Sequence, residues 1–599
     1  MNINPQPRPL LRLLLAVLLT ASCAAAFSAG SFDVIVIGSE PEGVSAAVAA
    51  AQEGADTLLV THDSRVGGLF VMGEMNSLDL RLTPVNYQRG LFLDWWLRVG
   101  QGHSFDIGEA EEAFLSMLAE AGVTLMTGAG DVTPLFRTTG GVAEADLSGP
   151  VGVQVDGIHY FATQLIDATS EADFAAAAGA RSTLGFSSIG LDERQADTLV
   201  FRIGGIDWPA LQAGIRARGN AYASVDEHVA WGHFGGYPAR FEANEPGIRL
   251  RGLNMGRQAD GRLLVNALLI HGIDPFDPSS VRDGWERAER EAPRIIEYLS
   301  RELPGFVNAY YAGAAEALYT RETRHLIARC ILDVDDVMDN RVTGRAIAAG
   351  GYPLDVQVLT PQDNGYVYGT PVIYGAELCV TIPEGLDNVW VVGKAAGFDP
   401  IAHSSARVVP FGMVVAEAAG VAAAAAARNG VTPAAFEEDG ANIDWLRQRL
   451  LQRGAYLPPV QDRAPLGPWQ HPHYADYRLL LSRGLALGGY SNEPGLDDAS
   501  TALSYVYMLS NVGRRFLDND AFGPDLVANF RYSDESLTPE IAARVTAFAA
   551  CRFDLCVEAT WPMIRAAGLA PPAFAPESNL TRGQMYALAA SFARTIGGY

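Results

Sequence analysis

The sequence predicts an α/β protein built on a buried parallel sheet, with an inserted α+β domain and a mostly helical C-terminal domain. Three observations carry that expectation. Phe32 to Thr61 reads as strand, tight turn, helix, strand. Asn388 to Val392 is a second buried strand run, and it leads into a long alanine-rich helix. Beyond Leu457 a proline-rich stretch gives way to helical periodicity.

In chain order, Val34 to Ile37 is a β-branched run of the kind buried on both faces of a sheet. Gly38-Ser-Glu-Pro-Glu-Gly43 makes the turn, and the small residues Ala46, Ala47, Ala49 and Ala50 continue as a helix. Thr57 to Val60 is the next strand. This is the layout of a dinucleotide-binding βαβ unit, whose backbone N–H groups and helix N-terminus face a diphosphate. Two positions depart from that pattern. Glu40 replaces the middle glycine, and Thr61 stands where an acid would hold ribose hydroxyls. Arg65-Val-Gly-Gly68 then supplies further glycines for close backbone approach. Gly128-Ala-Gly130 lacks the third glycine and the helix of a second such turn, so no nicotinamide cofactor is expected.

The 599 residues exceed one core, so two or three domains are expected. A net charge of -25 argues against nucleic acid and against an anionic membrane surface as partners. Arg8 and Arg12 precede the apolar run Leu13 to Leu19, and small residues follow at Ala21 to Ala26. That is a secretion-signal pattern, too short to span a bilayer, so an exported protein with residues 1–29 removed is expected. Thr20 stands where a lipoprotein box ending at Cys23 usually has leucine, so cleavage near Ala26 is the reading. The arginines are not paired, which implies export unfolded and cofactor loading outside the cytoplasm. Cys330 and Cys379 are read as buried, and the spacing of Cys551 and Cys556 within a helical pattern as unfavourable for a disulfide. No spacing resembles a metal site.

Five further segments are specific. They are Phe161 to Gly179, Leu199 to Trp208, Tyr319-Thr-Arg-Glu-Thr-Arg-His325, Gly350-Gly-Tyr-Pro-Leu-Asp-Val-Gln357, and Ile382 to Gly393 continuing through Ala402 to Gly412. In that order they resemble the FAD-dependent oxidoreductases, some of which are labelled xanthan-lyase-like. The resemblance runs from about Phe32 to Gly454. It implies a FAD-binding Rossmann-like flavoprotein fold of two dinucleotide-binding parts, residues 30–188 and 376–454, around a substrate domain at 189–375. It implies FAD contacts at Gly38, Ser39, Glu40, Pro41, Gly43, Thr61, His62, Arg65, Gly67, Gly68, Val132, Ala168 and Thr169. Gly393, His403, Arg407, Gly412 and Met413 would meet the ring and ribityl chain. His403, as acid or base, with Arg407, Arg321 and Tyr352, would carry the chemistry on a small organic or saccharide substrate. Two further positions depart from the family's pattern: Gln357 stands for its usual histidine, and Glu417 for a glutamine.

Residues 455–472 read as a linker rich in proline. In the domain at 473–599, Thr581 and Gln584 form a capping box opening a helix. Trp561 to Gly568, Phe574 to Pro576 and that helix resemble an S-layer homology repeat, and Tyr477 to Val512 a more degraded copy. The resemblance implies binding to cell-wall polymer. The expected function is thus an exported FAD-dependent oxidoreductase. Its rival is a non-catalytic envelope-binding protein on a degenerate flavoprotein scaffold.

Overall fold

A computed structural model describes residues 28–78, 80, 87–139, 142–143, 149–572 and 579–598. The signal segment through Phe27, including Cys23, and the Phe574–Pro576 stretch lie outside the described residues.

Strand Ser28–Ile37 is central to a seven-stranded sheet. Thr57–Val60 and then Thr124–Met126 lie parallel on one side of it. Ile158–Asp167 lies parallel on the other. The C-terminal half of that strand pairs in parallel with the late strand Val389–Val391, while its N-terminal half forms a hairpin with Gly152–Val155. Val34, Ile35 and Val36 are fully buried, as their unbroken β-branched run requires.

Helix Pro41–Gln52 packs on this sheet against the long helix Val409–Asn429. Their backbones nearly touch: a side chain on Gly420 would come within 2.3 Å of the Ala46 carbonyl. Alanines surround that contact, so the closeness is written into both sequences. Among the described residues, Val409–Asn429 alone is long and apolar enough to cross a membrane, yet its apolar span is enclosed by protein.

Residues 197–314 contain a six-stranded antiparallel sheet with its own apolar core. Its back is covered by helix Pro278–Ser300, which starts at the N-cap Asp277. The sheet's other face meets the mouth of the first body. C-terminal helices Tyr474–Leu481, Ala502–Leu517, Pro539–Cys551 and Arg582–Gly597 share one continuous core with the parallel-sheet body. Thr581 and Gln584 cap the last helix reciprocally, as the sequence indicates.

The proline-rich stretch is extended but anchored: Leu466 donates its N–H to the Met338 carbonyl, and Asn340 reaches the Ala464 carbonyl. Two disulfides are present, of which the second corrects the cysteine reading. Cys330 is bonded to Cys379. Cys551 is bonded to Cys556, because helix Pro539–Cys551 ends at Cys551 and the chain turns back, bringing the two Cα atoms to 4.1 Å. Helical spacing therefore does not apply between them.

Candidate active site

The turn after Ser28–Ile37 is fixed by Gly38, whose φ is +98° and whose Cβ position would lie 2.5 Å from the Ala168 carbonyl. Beside it, the end of Ile158–Asp167 is closed by Asp167. The carboxylate accepts from the Thr169 N–H and hydroxyl and from the Ala175 N–H. Burial pushes the Asp167 carboxyl up to about 6 despite those donors.

These two turns open onto a cavity of about 1220 Å³. Gly38, Ser39, Glu40, Thr61, His62 and Gly68 line it from one side. Val132, Ala168, Thr169, Gly393, Arg321 and Arg407 line it from the other. Pro41, Gly43, Gly67, Gly412 and Met413 stand behind that wall as packing residues. Arg65 turns away to pair with Glu111 at 2.7 Å.

A second cavity of about 280 Å³ joins the first where Tyr319, Arg321, Arg407 and Val409 line both. It lies between the inserted sheet and the start of helix Val409–Asn429, and Tyr352, Arg251 and Trp231 face it. Gln357 is turned to Asp355, donating at 2.8 Å.

Tyr319 occupies the junction. Arg407 Nη1 donates to its hydroxyl at 2.7 Å. The Arg321 guanidinium lies 4.4 Å from its ring centroid. Burial opposes ionisation of the Tyr319 hydroxyl, but the two guanidiniums outweigh it and hold the phenol below its ordinary value. Arg321 is itself buried, donates to the Ala196 carbonyl and the Thr198 hydroxyl, and falls to about 10. The Nε of Arg407 is buried without a partner.

His403 is placed otherwise than the sequence reading requires. It is fully buried, lines neither cavity, and lies edge-on to His325 with rings 4.7 Å apart. Burial drives its imidazole well below the usual range. Helix Pro400–Ala406 turns this side chain into the core, toward Glu322, rather than toward a substrate.

Residues 33–450 match the model of the FAD dependent oxidoreductase family. The chain belongs to that family. No curated protein matches the chain. Among solved structures it is similar to a geranylgeranyl bacteriochlorophyll reductase-like protein of Thermoplasma acidophilum (12% identity, 71% of this chain and 84% of that one, TM-score 0.34). It is also similar to the p-nitrophenol 4-monooxygenase of Pseudomonas putida (10%, 76% and 93%, 0.34). A third is a flavoprotein/dehydrogenase from Cytophaga hutchinsonii (14%, 71% and 86%, 0.33). At these scores the likenesses say nothing of reaction or substrate.

The cofactor of this oxidoreductase family is FAD, and the large cavity meets its parts unequally. At the adenosine end, Thr61 has no charge to offer ribose. Asp63, however, lines the cavity with its carboxylate 3.3 Å from the Thr61 hydroxyl, so an acid is present two residues later. At the ring end, Arg407 lines the cavity beside Val409, the first residue of helix Val409–Asn429, whose dipole favours negative charge there. The diphosphate cradle between them does not fit as it stands. Glu40 accepts the Leu69 N–H at 2.8 Å, and its carboxylate fills the space beside Gly68. Glu42 extends from the same helix start to within 2.4 Å of a Cβ position on Gly412. Two acidic side chains therefore occupy the floor on which a diphosphate would meet backbone N–H groups.

Sequence reasoning missed Glu42, Lys394, Tyr319 and Asp63. Glu42 sits inside the glycine turn and Lys394 directly follows Gly393, so position alone could have flagged both. Tyr319 opens one of the segments quoted above, but its role shows only where the fold brings Arg407 to its hydroxyl.

Proposed function

We propose that this family member is an exported oxidoreductase that oxidises a small, carboxylate-bearing organic substrate of carbohydrate type in the smaller cavity. The observation that carries this reading is the Tyr319 hydroxyl held between Arg321 and Arg407 where the two cavities meet. Arg251, Arg321 and Arg407 give the smaller cavity a cationic wall against the single carboxylate of Asp355. That wall favours an anionic substrate, and Trp231 adds a flat apolar surface of the kind sugar rings pack on. In this reading Tyr319 receives the proton of a substrate hydroxyl, its ionised form stabilised by the two guanidiniums. Arg407 and Arg321 orient the substrate's carboxylate. The residue division given from sequence, with a substrate domain at 189–375 and a C-terminal domain at 473–599, belongs to the same proposal. The two disulfides support an oxidising compartment, and thus export. The C-terminal helices, with their S-layer-like pattern, would hold the enzyme at cell-wall polymer.

The test is to load the purified chain with FAD and add uronic and aldonic acids without oxygen, following the visible flavin bands. Bleaching by acidic sugars, lost in Tyr319→Phe while the bands remain, is the expected result. Bleaching by neutral sugars alone would remove the cationic-wall argument. The two acids in the diphosphate cradle favour a second reading, a non-catalytic saccharide-binding protein. A chain that takes up no flavin yet retains saccharide would establish it.

A further inference from the structure

The misfit at the cradle has a definite shape. Glu40 and Glu42 project from the start of one helix, Glu40 to the Gly68–Leu69 backbone and Glu42 to Gly412 beside Gly393. Together they span the floor on which a βαβ unit receives a diphosphate. The charged groups facing them are Lys394 from the loop after Val389–Val391, Asp63 from the loop after Thr57–Val60, and Glu171 from the loop after Ile158–Asp167. Lys394 offsets the pair only in part: it draws both carboxyls down, but burial outweighs it and its ammonium is committed to Glu171 at 2.9 Å and to the Ser170 carbonyl. The helix carrying Gly412 and the short helix Gly68–Val71 contribute backbone N–H groups but no charge.

We propose that Glu40 and Glu42 form a carboxylate gate on the diphosphate cradle, which admits FAD only when Glu42 is uncharged and Glu40 has released the Leu69 N–H. The proposal rests on the flavin reading. Glu42 is buried, and burial followed by the nearby Glu40 raises its carboxyl to about 8. It is therefore neutral in acid and mildly alkaline solution, where it can donate to a phosphate oxygen, and anionic above. Glu40 is only half-buried and lines the cavity, so its side chain has room to swing aside. Gate opening exposes the Gly68 and Leu69 N–H groups, the donors that a diphosphate needs.

The experiment titrates the flavin-free full chain with FAD, and separately with riboflavin, following flavin fluorescence at pH 6.5 and pH 9. Riboflavin carries the ring without the diphosphate, so it reports everything except the gate. The expected result is a Kd for FAD about tenfold weaker at pH 9, since one proton is linked to binding, with riboflavin unchanged. Glu42→Gln should abolish the pH dependence, and Glu40→Gly should tighten FAD at both pH values. An FAD affinity equal at both pH values and unmoved by either substitution would overturn the gate and leave the flavin reading standing. Absence of flavin binding in the wild type and in a folded Glu40→Gly/Glu42→Ala variant would overturn both. Binding in that double variant alone would support the gate in its tightest form.

Discussion

Glu42 ties the cradle to the protein's own stability. Its folded-state carboxyl lies near 8 against an ordinary 4.5, so the stability it permits is complete below the ordinary value and is lost as pH rises through the folded one. The flavin-free protein should therefore show a Tm falling by about 2 °C more between pH 6 and pH 8.5 than Glu42→Gln does, by differential scanning calorimetry. Asp167 and Asp399, each near 6, titrate earlier in the same direction, so the difference between the two profiles isolates Glu42. Tyr319 is the other residue on which the site turns. Replacing Arg407 by Met removes its hydrogen-bonded cation, and the phenol should return toward its ordinary value, read as a shift of the tyrosinate absorbance band at 295 nm. The sequence reading passed over both residues, although the position of the first could have flagged it. Glu42 sits within six residues of a recognisable turn. Tyr319 gains its meaning from Arg321, two residues away, and Arg407, which only the fold brings near.

At the scale of elements, the contact between Pro41–Gln52 and Val409–Asn429 sets the geometry of the whole cleft. Gly420 sits so near Ala46 that any side chain forces the helices apart. Gly420→Val should lower Tm by about 2–4 °C and raise the Kd for flavin, whereas Ala419→Gly, on the same helix, should cost less. Both helices were legible in the sequence, because β-branched runs and alanine-rich stretches report burial directly. The sequence implied a separate α+β region here but not the strand order of its sheet. Which strand lies beside which depends on contacts across a hundred residues, and no local pattern encodes them. His403 shows the limit from the other side. Its place in a motif suggested a role at the substrate, and the turn of one short helix sends it into the core.

The whole molecule is held by features that a motif reading underrates. The C-terminal helices do not hang from a tether: Arg478 pairs with Asp335 and Asp339, Asn492 bonds twice with Thr370, and Gly488 donates to the Tyr368 carbonyl. Removing residues 457–599 would uncover the apolar face that includes Tyr368 and Met338. The truncated chain is expected to aggregate or to bind a hydrophobic dye, checked by light scattering and dye fluorescence. Cys330–Cys379 closes a loop of 49 residues, and reduction should cost about 4 kcal/mol, read as a lower denaturant midpoint in dithiothreitol.

Strand Val389–Val391 is inserted beside Ile158–Asp167 although more than a third of the chain separates them. Until that late segment emerges from the ribosome, the sheet has a raw, unpaired edge and cannot reach its final state. Such topology makes spontaneous folding slow, because that edge closes only after a loop of more than two hundred residues has been ordered.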